Sequence, residues 1–206
     1  MSYWTESYSI PVAFATWVLQ RDGLRVPPFD AHPAGNGRLQ ALGLDQPTWL
    51  AWVEQIVEAE VQQTSALSTI DLRNTGPDER RALAQVGMQG NPAARWPGGS
   101  EGQRQLETLW REFQPIGEAW AQSLTSTKRQ KRISAGQQRR LWHQLKPLLD
   151  RRIALHVYPV DYVQVVALPI APSSCVVGIG APDRQGPAYV EAVSAAANAL
   201  AGIEGR

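Results

Sequence analysis

The chain has 206 residues, of which 43% are apolar and 19% are charged, and this composition excludes an intrinsically disordered protein and suffices for one substantial core. The net charge is only +1 and there is a single cysteine, which excludes an internal disulfide and favours the cytoplasm. The N-terminus lacks the positive region of a signal peptide, and the apolar stretch at residues 10–19 is too short to cross a bilayer, so we expect neither secretion nor a membrane span.

The N-terminal region predicts a β-hairpin over residues 10–26. Apolar residues and one threonine alternate onto one face along its first half, and Asp22-Gly23 supplies a turn. A helix through Thr16 is the alternative interpretation. A loop rich in proline and glycine follows, and its Asp30 and His32 are too few to hold a metal ion, so we predict no metal site.

A helical middle region is predicted over about residues 36–150. Its clearest helix begins after Asp45, an N-cap residue, and runs to about residue 63 with a broad apolar stripe. Glu60 falls inside that stripe, either as a buried carboxylate with a raised pKa and a role in proton transfer, or as an acid at a locally exposed position. A short helix is predicted over residues 77–86.

Two further helices of this region each begin with a predicted capping box. Ser100 with Gln103 opens the first helix, which Pro115 should end or kink before the apolar stripe resumes to about residue 125. Ser134 with Gln137 opens the second. Its leucine and tryptophan residues share one face, whereas the opposite face carries Arg139, Arg140, His143 and Lys146.

The C-terminal part, about residues 151–202, predicts a β-β-β-α unit. Residues 153–158, 162–168 and 173–179 have the composition of strands, residues 159–161 form the predicted turn, and an alanine-rich helix covers residues 187–201. His156, Tyr158 and Asp161 could assemble acid-base chemistry across the first hairpin, although a structural role is the favoured interpretation. The connection before the last helix, with Arg184, could bind an anion but lacks a complete phosphate-binding motif.

Together these elements predict a single α+β domain over residues 1–202. We expect the helical middle region to pack on a small, mainly antiparallel sheet that combines the N-terminal hairpin with the C-terminal unit. The last four residues, 203–206, match the recognition sequence of the protease factor Xa, and we interpret them as a remnant of tag removal.

The most distinctive feature is a cluster of positive charge. Residues 128–152, hereafter the cationic segment, hold nine of the twenty basic side chains and one acid, whereas the other 181 residues hold eleven basic and eighteen acidic groups. A concentrated positive field attracts anionic surfaces over a Debye length of about 10 Å. We therefore predict that a partner binds the basic residues of this segment, which are Lys128, Arg129, Lys131, Arg132, Arg139, Arg140, Lys146, Arg151 and Arg152.

Tryptophan is the second unusual feature, with eight tryptophans against three phenylalanines. Most of them lie on apolar helical stripes and are expected in the core. Trp4 and Trp96 lie outside such stripes and are the better candidates for a partner interface, although burial in the core is the favoured interpretation of each.

The sequence contains no nucleophile elbow and no zinc-binding His-Glu-x-x-His helix, and its three histidines share no local pattern. We therefore assign no catalytic residue and no cofactor. The favoured function is a non-catalytic binding or assembly factor, an adaptor, that docks an acidic protein surface through the cationic segment. A non-specific nucleic-acid-binding accessory protein is the first alternative, and a small enzyme acting on an anionic substrate is the second.

Overall fold

The computed structural model describes residues 4–30, 35–69, 90–128, 155–162, 164–170, 172–179 and 187–203, together with residues 136, 139, 143, 145 and 146, which are helical. Within this part of the chain the α-helices are α1 (Ile10–Asp22), α2 (Gln46–Thr69), α3 (Ser100–Lys128) and α4 (Pro187–Ile203). Short 3₁₀ helices lie at Gln40–Leu42 and Pro92–Arg95. The strands are β1 (Trp4–Glu6), β2 (Leu155–Asp161), β3 (Ala167–Ile170) and β4 (Ser174–Ile179). The α+β class, the helical middle region and the C-terminal β-β-β-α unit are confirmed.

The sheet is mixed, and the prediction of a mainly antiparallel sheet is wrong. Its strand order is β1-β2-β4-β3. The pairs β1/β2 and β2/β4 are parallel, and only β3/β4 is antiparallel. Parallel strands need long connections, and the chain between β1 and β2 contains α1, α2 and α3.

The predicted N-terminal hairpin is also wrong, because residues 10–22 form α1. Ser9 caps this helix by accepting a hydrogen bond from the amide of Val12 at 3.2 Å, and Pro11 stands in the first turn, where its missing donor costs nothing. Gly23 ends the helix with φ of 75°, so the Asp22-Gly23 pair is a helix C-terminus and not a hairpin turn. Ten of the thirteen helix residues are buried. A helix that is surrounded by the core carries apolar residues on every side. A short run of such residues has no helical periodicity and can be mistaken for a buried strand.

β2 runs straight through the predicted turn at residues 159–161. Pro159 pairs with Val177 of β4, although proline lacks a backbone donor. The N–H of His156 donates on the β4 side, to the carbonyl of Ser173 at 2.9 Å, so by alternation the nitrogen of Pro159 faces the β1 side. The ladder between β1 and β2 ends at Glu6 and Val157, before Pro159. β2 can therefore contain proline without losing a sheet hydrogen bond.

Helices cover both faces of the sheet. Tyr158 and Val160 face a large core shared with α1, α2 and α3. Leu155 and Val157 face a second core, formed with α4 and Leu145. The alternation of side chains along β2 thus separates two apolar layers.

The two long helices α2 and α3 agree with the predicted apolar stripes. The carboxylate of Asp45 accepts a hydrogen bond from the amide of Thr48 at 2.8 Å, which confirms the predicted cap of α2. Pro115 does not end α3. It lies on the exposed side, where water can reach the carbonyl that loses its partner, and Gly117 beyond it still packs closely on Ile10.

Phe14 is the centre of the larger core, and its loss should destabilise the fold. The Phe14 side chain is fully buried, and its ring contacts those of Trp17, Trp52, Trp110 and Phe113. We predict that Phe14→Ala lowers the free energy of unfolding in urea by about 3–5 kcal/mol, because it leaves a cavity. Ile116→Ala is the control, since Ile116 is 53% exposed and its loss should cost less than about 0.5 kcal/mol. Equal losses in the two variants would contradict this packing.

Candidate functional site

The described part of the cationic segment is one outward face of a helix. Gly136, Arg139, His143 and Lys146 are exposed, and their spacing of three to four residues places them on the same side. Leu145 is fully buried in the second core. Because Leu145 is anchored against the sheet, Arg139 and Lys146 form a cationic face with a fixed direction, and His143 lies between them.

Apart from Trp96, the other residues of the predicted partner site lie outside the described residues or have undescribed side chains. Lys128 is the last residue of α3, and Trp4 is the first residue of β1. The remaining basic residues are Arg129, Lys131, Arg132, Arg140, Arg151 and Arg152, and they lie outside the described ranges. The predicted capping box at residues 134 and 137, the helix at 77–86, Arg184 and the residues 204–206 lie outside them too.

Trp96 lies in the core. Its side chain is 8% exposed and meets Trp52 edge to face, with ring centroids 5.5 Å apart. Trp52 is also buried, and its indole N–H donates to the carbonyl of Pro92 at 2.8 Å. This position favours the core interpretation of Trp96 over the interface interpretation.

A second candidate site surrounds Glu60, near the middle of α2. The Ser9 hydroxyl donates a hydrogen bond to the Glu60 carboxylate, and the positive charge of Arg95 acts on the same group. Burial outweighs both effects and raises the pKa of Glu60 to about 7. The carboxylate is therefore able to take up or release a proton near neutral pH.

Four separate parts of the chain meet at this group, hereafter the Glu60 cluster. Ser9 caps α1, Glu60 belongs to α2, Arg95 ends the second 3₁₀ helix and Tyr158 lies on β2. Burial raises the pKa of Tyr158, and the negative charge of Glu60 adds to that effect. The sequence indicated Glu60 alone. Ser9 two residues before Pro11 is a recognisable cap signal, whereas nothing in the sequence points to Arg95 or Tyr158 as neighbours of Glu60.

The Glu60 cluster includes two deeply buried side chains and is not part of the described pocket. Ser9 is 2% exposed and Tyr158 is 1% exposed. A small pocket of about 30 Å³ lies between α1 and α3, and its lining includes Arg21, Asn36 and Arg38 but none of the cluster. The cluster therefore has a proton-binding group without a described space for a substrate.

His156 does not meet Asp161, so the acid-base arrangement considered for this hairpin is not formed. The two residues are five positions apart on one strand, which puts their side chains on opposite faces of the sheet. His156 is buried and burial lowers its pKa, whereas Asp161 is exposed and its carbonyl accepts from Gln20 at 3.1 Å. The structural interpretation of His156 is thereby favoured.

No metal site is found among the residues that the structure describes, which contain no suitable group of three or more histidine, cysteine or acidic residues. Asp30 instead forms an ion pair with Arg25 at 3.8 Å, and its carbonyl accepts a hydrogen bond from Tyr162 at 2.7 Å. His32 lies outside the described ranges.

No known protein family matches the chain, and neither the curated proteins nor the solved structures yield a match. In the described ranges, no helix combines the length and the hydropathy needed to cross a membrane. The function must therefore be inferred from the two candidate sites themselves.

The raised pKa of Glu60 predicts that stability falls as the pH rises. The carboxyl has a pKa of about 7 in the folded state against an ordinary value of 4.5, so the folded protein holds a proton that the unfolded chain releases between these values. Its stabilising contribution is complete below about pH 4.5 and is lost by about pH 8, a difference of up to about 3 kcal/mol.

Chemical denaturation of Glu60→Gln across pH 5–8 measures this contribution. The variant should be more stable than the parent at pH 8 and should lose most of the pH dependence, because its amide cannot ionise. Glu54→Gln, on the exposed side of the same helix, should keep the parent's dependence. A Glu60→Gln variant with the parent's pH profile would show that Glu60 titrates normally.

Proposed function

We propose that the protein is a non-catalytic binding or assembly factor that docks on an acidic protein surface through the cationic segment. The observation that carries the proposal is the burial of Leu145 beside exposed Arg139, His143 and Lys146. An anchored helix presents its charges without the conformational cost of ordering a flexible chain on binding. The exposed cations are thus prepared for a complementary surface.

The distribution of charge favours an acidic protein over a nucleic acid. The cationic segment carries nine basic groups and one acid, but the whole chain carries a net charge of +1 and has a pI of about 7.9. A long polyanion such as a nucleic acid would extend beyond the cationic segment. It would then lie over the rest of the protein, whose net negative charge repels it. An acidic patch on a protein is limited in extent and can meet the cationic segment alone, and domains that bind nucleic acids typically have a pI above about 9.

The Glu60 cluster supports a structural role in place of catalysis. Its serine and tyrosine are nearly fully buried, and Ser9 and Arg95, from two other elements, stabilise its carboxylate. We place this binding role in the cytoplasm. The single cysteine supports that placement, because a chain without an internal disulfide is typical of a reducing compartment.

Charge reversal on the cationic face tests the proposal. We predict that the parent binds a fluorescently labelled 20-residue polyglutamate peptide in an anisotropy titration at low salt. Arg139→Glu combined with Lys146→Glu should weaken this binding by about tenfold or more, because two attractions become repulsions. Arg38→Glu combined with Arg111→Glu is the matched control, since both arginines are exposed and lie outside the cationic segment.

The same titration with a duplex DNA of 20 base pairs separates the two classes of partner. Binding to the peptide that the control variant retains and the test variant loses supports the proposal. Tighter binding to DNA than to the peptide, with a steep loss of affinity between 50 and 200 mM salt, would instead support the nucleic-acid alternative. Equal loss in both variants would show a general effect of net charge and would contradict a specific cationic face.

A further inference from the structure

Hydrogen-bond donors converge at the first turn of α3. The carbonyl of Gly99 accepts the amide N–H of Gln103 at 3.2 Å, so Gly99 is the N-cap residue of this helix. The predicted capping box with Ser100 as the cap is therefore wrong. Glycine has no side-chain oxygen that could accept from the amides of the first turn. The helix dipole adds a partial positive charge at the same end.

The indole N–H of Trp96 lies against this turn. Ideal Cβ atoms placed on Gly98 and Gly102 would lie 2.4 Å and 2.7 Å from Nε1 of Trp96. The Trp96 side chain is 8% exposed, and Nε1 is the one buried side-chain nitrogen or oxygen in the described ranges that has no hydrogen-bond partner. A buried donor without an acceptor is unfavourable and needs a reason.

We propose that the first turn of α3 and the indole N–H of Trp96 form a binding site for a phosphate group. Phosphate oxygens can accept from several backbone N–H groups at a helix N-terminus and from the indole at the same time. The ligand enters from solvent, because Pro97, Gly98, Gly99 and Ser100 are all exposed. Gly98 lies beside the indole nitrogen, so the proposal requires its backbone to shift on binding, which the conformational freedom of glycine allows.

The charged side chains at this turn set the expected affinity. Glu101 lies in the first turn and would repel an anion, but its carboxylate accepts hydrogen bonds from Arg104 and, at 3.2 Å, from Gln105. Arg104 therefore offsets the charge of Glu101. The backbone N–H groups of the first turn then provide the main attraction for the phosphate. We expect a dissociation constant in the millimolar range. This site is separate from the cationic segment and does not depend on the function proposed for it.

Nuclear magnetic resonance of the ¹⁵N-labelled full chain tests the site. The Trp96→Phe variant assigns the Trp96 indole resonance by removing it while keeping an aromatic ring in the core. Inorganic phosphate is then titrated at constant ionic strength, with phosphoserine, acetate and chloride titrated in parallel. The Trp96 resonance should shift progressively and saturate with inorganic phosphate and phosphoserine, and should not saturate with acetate or chloride.

A matched pair of variants at Gly99 separates the site from a general salt effect. Space is open around Gly99, so a side chain fits there without a clash. Gly99→Asp supplies an internal acceptor and should abolish the phosphate response, whereas Gly99→Ala supplies none and should retain it. An unshifted Trp96 resonance, an equal response to acetate or chloride, or an undiminished response in Gly99→Asp would each overturn the proposal.

Discussion

The burial of α1 is the constraint on which the other elements depend. This helix packs against β2 on one side and against α2 and α3 on the others, with Phe14 at the centre of an aromatic cluster. Its backbone donors and acceptors are satisfied within the helix and at its caps, so it can be surrounded by apolar groups without unpaired polar atoms. The residues before it form β1, and the parallel pairing of β1 with β2 joins the start of the chain to the C-terminal strands. The two ends of the sequence are therefore parts of one sheet.

The elements that are most clearly predicted from the sequence are those with one solvent-exposed face and one buried face. The stripe of α2 and its Asp45 cap could be read directly, because polar residues alternate with apolar ones at helical spacing. α1 could not be read in this way, since burial on every side removes the contrast between its faces. The mixed sheet was also beyond prediction, because strand order depends on contacts between residues more than a hundred positions apart, such as Thr5 and His156. Of the Glu60 cluster, only Glu60 itself stood out as an acid within an apolar stripe.

Two polar groups lie near the N-termini of helices and differ in whether the protein supplies them with a partner. Glu60 lies at the capped end of α1, where the Ser9 hydroxyl and Arg95 partly offset the cost of burying its charge. Trp96, the next residue after Arg95, brings its indole N–H to the N-terminus of α3, where no acceptor meets it. In the first arrangement, groups from two other elements partly offset the cost of burying one carboxyl group. The second leaves a donor that a bound oxyanion can satisfy.

The functional account depends on a cationic face that is already in place before a partner arrives. Leu145 provides the anchor, and Arg139 and Lys146 provide the exposed charge. Amide hydrogen exchange over residues 139–146, measured with and without the polyglutamate peptide, tests this claim most directly. The account predicts slow exchange in the free protein and further slowing when the peptide is added. Fast exchange in the free protein, or peptide-induced slowing confined to other parts of the chain, would contradict it.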